Sequence, residues 1–139
     1  MKSEIEMVNK AVEYFENQGF LVTTEVPFLH RSIDLVYKYE NKLVSIEFKL
    51  SDWKRAIEQA KSHLYGSNEV YICIPKPKRG LSPMLKKEIK NSSIGLMFFD
   101  EEQEFIEKIF EATQSPKLWG VGENWLNDAF SKRLEVCYG

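Results

Sequence analysis

Two strand-like runs, residues 33–39 and 42–50, are separated only by Glu40 and Asn41. Asn tolerates a left-handed turn, so the pair reads as a hairpin closed by a two-residue bend. Opposed positions then sum to 81, and Asp34 falls across from Glu47. Directly opposed side chains lie about 4.5–5.5 Å apart at Cβ. Strand alternation sends Lys49 to the same face as Glu47. Ile33, Leu35, Tyr37, Val44, Ile46 and Phe48 are left for the other face, an apolar set suited to a core. A four-residue loop would preserve this register and a three-residue loop would destroy it.

Two carboxylates facing each other across a ladder destabilise it. A solvated face is the ordinary use of such residues, but here Ile33, Leu35 and Val36 surround Asp34, and Ile46 and Phe48 flank Glu47. Charges set among apolar neighbours call for a partner or a metal. A hard divalent cation, Mg²⁺ or Mn²⁺, relieves the repulsion and suits carboxylate oxygens. A lysine beside it can orient a water or offset charge developing on a phosphoryl oxygen. The chemistry expected is phosphodiester hydrolysis.

The flanking segments predict an α/β chain. Ile5, Val8, Val12 and Phe15 recur at helical spacing, and Gly19 ends that helix. Residues 20–26 form a strand that Pro27 should stop. Ser51 is expected to cap a helix bearing Trp53, Ala56, Ile57, Ala60 and Leu64, which stops near Gly66. Residues 70–74 read as a buried strand, Ser82-Pro83 opens a helix to about residue 90, and 94–99 is a further strand. Residues 105–110 fit either a helix or a strand, and about 123–134 forms an amphipathic helix.

The chain of 139 residues is 43% hydrophobic, enough for one domain with a real core. With 19 basic and 21 acidic side chains, it is no polycation. Its first ten residues lack the apolar core of a signal peptide, and no run approaches the roughly 20 apolar residues of a membrane span. Cys73 and Cys137 lack metal-ligand spacing, and Cys73 reads as a small buried hydrophobe. A cytoplasmic protein without membrane contact is expected. Charge is nevertheless uneven. Lys76, Lys78, Arg79, Lys86, Lys87 and Lys90 face a single acid, Glu88, over 76–90, whereas 100–111 holds six acids and only Lys108. The basic stretch suits a nucleic-acid backbone.

Ile33-Asp34-Leu35, Ile46-Glu47-Phe48-Lys49 and the following Leu50-Ser51-Asp52-Trp53-Lys54-Arg55-Ala56 with Gln59-Ala60 resemble the PD-(D/E)XK nuclease superfamily. The likeness is greatest to small prokaryotic members with a KLSDW-type segment after the lysine, and it runs from the first helix to about Phe99. It implies a restriction-endonuclease-like fold, a central mixed sheet flanked by helices with an αβββαβ core at about 4–99 and an extension at 100–139. It also implies that Asp34 and Glu47 bind the metal and that Lys49 is the catalytic lysine. A first-helix Glu near the metal is implied too, with Glu6 the candidate and Glu4 and Glu13 its rivals. Gln59 matches a supporting Gln of some members, although they carry Tyr where this chain has His63, and the family's first-motif Pro is absent before Asp34.

The expectation is therefore a nuclease dependent on Mg²⁺ or Mn²⁺, acting on DNA rather than RNA. Arg31, Lys54, Lys76, Lys78 and Arg79 are the expected nucleic-acid contacts. A homodimer would pair two sites. The alternative is a module that keeps the fold and binds nucleic acid or assembles with partners without cutting.

Overall fold

A computed structural model describes residues 3–138. The elements are α1 (Glu4–Asn17), β1 (Leu21–Phe28), β2 (Arg31–Tyr39), β3 (Lys42–Phe48), α2 (Trp53–Lys61), β4 (Glu69–Pro75), α3 (Pro83–Lys90), β5 (Gly95–Asp100), β6 (Phe105–Phe110) and α4 (Gly120–Tyr138), with a 3₁₀ turn at Ser62–Tyr65 after α2. All six strands form one sheet in sequential order. β1, β2 and β3 are antiparallel neighbours, β3, β4 and β5 run parallel, and β6 returns antiparallel to β5. This mixed sheet flanked by four helices is the restriction-endonuclease-like α/β arrangement expected. Among the described residues, no helix is long and apolar enough to cross a membrane.

Three apolar clusters hold the layers together. Met7, Ala11 and Phe15 of α1 pack on Leu35, Tyr37, Val44, Ile46, Phe48, Tyr71 and Cys73. On the opposite face, Ala56, Ile57 and Ala60 of α2 and Leu85 and Ile89 of α3 meet Val70, Ile72, Leu96 and Phe98. Leu126 and Phe130 of α4 cover Val26, Phe28, Ile33, Val36 and Leu43. Burial of this kind contributes about 25 cal/mol per Å² of apolar surface.

The central bend is as short as the sequence predicts, with Tyr39 paired to Lys42. Its left-handed residue is Glu40 (φ 56°), not Asn41. Three local expectations are corrected and one open alternative is decided. Pro27 lies inside β1 rather than ending it, since β1 is an edge strand where a missing N–H leaves no ladder bond unmade. Asp52, not Ser51, caps α2, its side chain accepting from Arg55 N at 3.1 Å. Of the two alternatives for residues 105–110, the strand is formed, because their N–H and C=O groups complete the edge of β5. Ile33 joins the α4 cluster instead of sharing the face of Leu35.

The last correction positions the site. The β2–β3 ladder runs from Tyr39/Lys42 to Leu35/Ile46 and stops there. Beyond it, the outer half of the β1–β2 hairpin turns toward α4, with Val26 and Phe28 following Ile33. Glu25, whose number is complementary to Asp34 in the β1–β2 register, has left-handed backbone (φ 51°), an irregularity that bends the strand.

Candidate functional site

Asp34 and Glu47 lie just past the point where β2 and β3 part. With the β2 backbone gone, the N–H of Phe48 needs an acceptor, and the Asp34 carboxylate supplies it (Oδ2 to N, 2.9 Å). The Asp34 and Glu47 carboxyl groups are close enough for the charge of Glu47 to act on Asp34. The register thus brings together the two acids that the sequence sets opposite each other. Burial first, and the negative charge of Glu47 second, push the Asp34 carboxyl up to about 7, while the Phe48 N–H pulls the other way and Glu4 adds to the rise.

Glu47 is 5% exposed and would be an uncompensated buried charge without a donor. The donor is His63, wholly buried, whose Nε2 is 2.7 Å from Glu47 Oε1; His63 Nδ1 lies 3.3 Å from the Ser62 hydroxyl. The 3₁₀ turn that continues α2 delivers this ring to the sheet.

Lys49 leaves the end of β3, its N–H donating to Cys73 O at 3.1 Å. Its ammonium is 3.9 Å from Glu4 Oε1, and Glu4 Oε2 accepts from Leu50 N at 3.2 Å. Glu4 therefore holds both the lysine head and the backbone after it. Glu4, Thr24, Glu25 and Asp34, with Ile5, Val8 and Asn9 of α1, line an open cleft of about 280 Å³.

The first-helix acid at the site is thus Glu4 and not Glu6. Two residues along a helix is a rotation of about 200°, so the two cannot face the same way. Glu6 is third after the N-cap, where its N–H donates to Ser3 Oγ at 3.1 Å, and its charge acts on Lys10. Gln59 lies on α2, the helix that leads to the site. Its carbonyl accepts from the Ser62 hydroxyl at 3.0 Å, and the contact to Glu47 comes from His63 one turn later. His63 has a legible signal: it continues the apolar stripe Ala56, Ile57, Ala60 and Leu64, where a polar ring needs a buried partner.

The expected basic residues gather at this end of the sheet. β3, β4 and β5 are parallel, so the segments after their C-terminal ends share one side with Glu47 and Lys49. Lys76, Lys78 and Arg79 follow β4, Lys54 opens α2, and Arg31 opens β2. All five are exposed. Lys76 is 3.8 Å from Asp100, and the Lys54 ammonium lies 5.7 Å from the Trp53 ring centroid. The acidic turn after β5 closes the same end at the far edge of the sheet, where Glu104 pairs with Lys10.

Of the groups here, Asp34 and Glu47 have the chemistry to hold a cation. Each has one oxygen engaged by a protein donor, Phe48 N–H or the His63 ring. Among the described residues, no three His, Cys, Asp or Glu side chains form a ready-made cage. Two carboxylates completed by waters is a usual mode for Mg²⁺ and an unsuitable one for zinc.

No family model matches the chain, and no curated protein does. Solved structures do. A protein of unknown function from Silicibacter pomeroyi is 16% identical with a TM-score of 0.70, covering 97% of this chain and 88% of its own. An XisH family protein from Nostoc punctiforme is 17% identical with a TM-score of 0.56, over 76% of this chain and 98% of its own. At these identities the chain shares a fold with them.

Proposed function

We propose that the protein is a nuclease of the PD-(D/E)XK type, hydrolysing phosphodiester bonds of nucleic acid, DNA rather than RNA, with Mg²⁺ or Mn²⁺. The observation that carries this reading is the approach of Asp34 and Glu47 at the end of the β2–β3 ladder, with Lys49 paired to Glu4, which lines the same cleft as Asp34. When bound, a divalent cation supplies Lewis-acid polarisation of a phosphoryl oxygen and eases ionisation of water. Asp34 and Glu47 hold it, the first fixed by Phe48 N–H and the second by His63. Lys49 orients the attacking water and offsets the charge growing on the phosphoryl group. Glu4 Oε1, 3.9 Å from the lysine ammonium, positions it. Arg31, Lys54, Lys78 and Arg79 provide backbone phosphate contacts at the same end of the sheet.

The test is a cleavage screen with Mg²⁺ and Mn²⁺ over linear, flapped, branched and single-stranded DNA and RNA. Cleavage by the wild type that is lost in Lys49→Ala, with the fold intact by circular dichroism, supports the reading. Cleavage that is unchanged in Lys49→Ala discards the role of the lysine. Binding of nucleic acid with no cleavage of any substrate replaces the nuclease with a non-catalytic module of the same fold.

A further inference from the structure

At the other end of α1, ten residues and roughly 15 Å from Glu4, the sheet carries a second and larger recess of about 500 Å³ that owes nothing to the carboxylate pair. Its walls are aromatic: Tyr14 and Phe15 of α1, Phe20, and Tyr37 and Tyr39 of β2. Phe15 and Tyr37 stack at 4.4 Å between centroids, and Phe20 stands edge-on to Tyr39 at 5.7 Å. Glu69 at the start of β4 and Glu111 just after β6 form its acidic side.

Two features of this recess leave hydrogen-bonding capacity open to a ligand. Tyr37 is 3% exposed and lines the recess, yet its hydroxyl makes no hydrogen bond among the described residues. Every buried side-chain N or O atom of the described residues has a partner, so this hydroxyl is one that solvent in the recess still reaches. Glu69 and Glu111 both approach the Tyr71 hydroxyl, at 3.4 and 3.2 Å. That phenol has one proton to give, so the two carboxylates converge on a donor that satisfies only one of them. Their lysine counter-charges are weak: Lys42 is 3.9 Å from Glu69 and Lys108 is 3.9 Å from Glu111, and both ammonium groups are exposed. The Lys108 ammonium, itself on the wall of the recess, lies 5.4 Å from the ring centroid of Tyr71, whose hydroxyl the two carboxylates share.

We propose that this recess binds an organic cation carrying N–H donors, a primary ammonium or a guanidinium on an apolar body. A primary ammonium has three N–H groups, and the recess offers three acceptors for them: Glu69, Glu111 and the Tyr37 oxygen. The aromatic walls enclose the apolar body and favour the positive charge by cation–π attraction. Lys108 swings out to solvent as the ligand enters. The same chemistry is carried by a free amine and by a lysine or arginine side chain of another protein.

The test is calorimetric titration of the full chain with benzylamine, spermidine and an N-acetyl-lysine amide, with tetramethylammonium as the cation that has no N–H. Binding of the N–H-bearing probes and none of tetramethylammonium is expected. Glu111→Gln and Glu69→Gln should each weaken binding about tenfold, and Tyr37→Phe a few-fold with the fold kept. Preference for spermidine or benzylamine identifies a free amine as the natural ligand, and preference for the lysine amide identifies a protein side chain. Asp34→Asn should bind as the wild type does, which separates this recess from the carboxylate site. The proposal is overturned by absence of heat with every probe at millimolar concentration, by equal binding of tetramethylammonium, or by affinities that the Glu and Tyr variants leave unchanged.

Discussion

His63 Nε2 stands 2.7 Å from Glu47 Oε1, with the imidazole fully buried. This contact ties α2 to the end of β3 and fixes one oxygen of the carboxylate that would hold a cation. Removing one member of a buried ionic or hydrogen-bonded pair leaves the other uncompensated, which costs about 3 kcal/mol. His63→Ala should lose about that much stability in urea denaturation, and His63→Gln, which keeps an N–H donor, clearly less. Equal losses for the two would show that ring packing, not the hydrogen bond, supports Glu47.

Asp34 gives the metal-free protein a pH dependence of definite sign. Its carboxyl titrates near 4 when unfolded and at about 7 when folded, raised by burial and then by Glu47. The folded state therefore holds the proton more tightly, so its contribution is complete below pH 4 and is lost as pH rises to 7. The loss is on the order of 2 to 4 kcal/mol. Asp34→Asn should remove this fall, so that the variant is more stable than the wild type at pH 8 and matches it near pH 4. Denaturation midpoints at the two pH values measure it, and parallel profiles would contradict the assignment.

If the protein is the proposed nuclease, Glu4 and Glu6 should differ in their effect on cleavage. Glu4→Gln releases the Lys49 ammonium and should lower metal-dependent cleavage about tenfold, the scale of a lost charge-assisted contact. Glu6→Gln should leave the rate within about twofold, since Glu6 faces Lys10 and the helix N-terminus. Initial rates at saturating Mn²⁺ decide between them, and a larger loss from Glu6→Gln would reverse the assignment.

Lys78 and Arg79 extend past β4 on the side of Lys49. If they contact phosphates, the double variant Lys78→Ala/Arg79→Ala should weaken nucleic-acid binding and reduce the slope of log K against log salt by about 2. Affinity measured at several salt concentrations gives that slope, and an unchanged slope places the phosphates elsewhere.

The pairing of Asp34 with Glu47 was legible because two residues between strands leave one register, and a register carries chemistry along with packing. The limit of that inference appears at Ile33. Alternation assigns it to the face of Leu35, but the ladder stops at Leu35/Ile46 and the chain turns toward α4, a packing event that no local pattern announces. Glu4 was obscured because several acids punctuate the first helix, and only its direction of approach to β3 separates them. His63 was readable in principle, as a polar ring in an apolar stripe, yet its partner is sixteen residues away on another element. The aromatic recess is formed by α1 and by residues of β2 through β6 together, so its residues carry no common sequence signature.

The central claim, that Asp34 and Glu47 form a cation site, is tested most directly by titrating Mn²⁺ into the protein at pH 7.5 in a calorimeter. The account predicts saturable binding of about one ion per chain at millimolar or lower concentration, abolished in Asp34→Asn and in Glu47→Gln and retained in Glu6→Gln. Absence of binding to the wild type, or equal binding to Asp34→Asn, would contradict it.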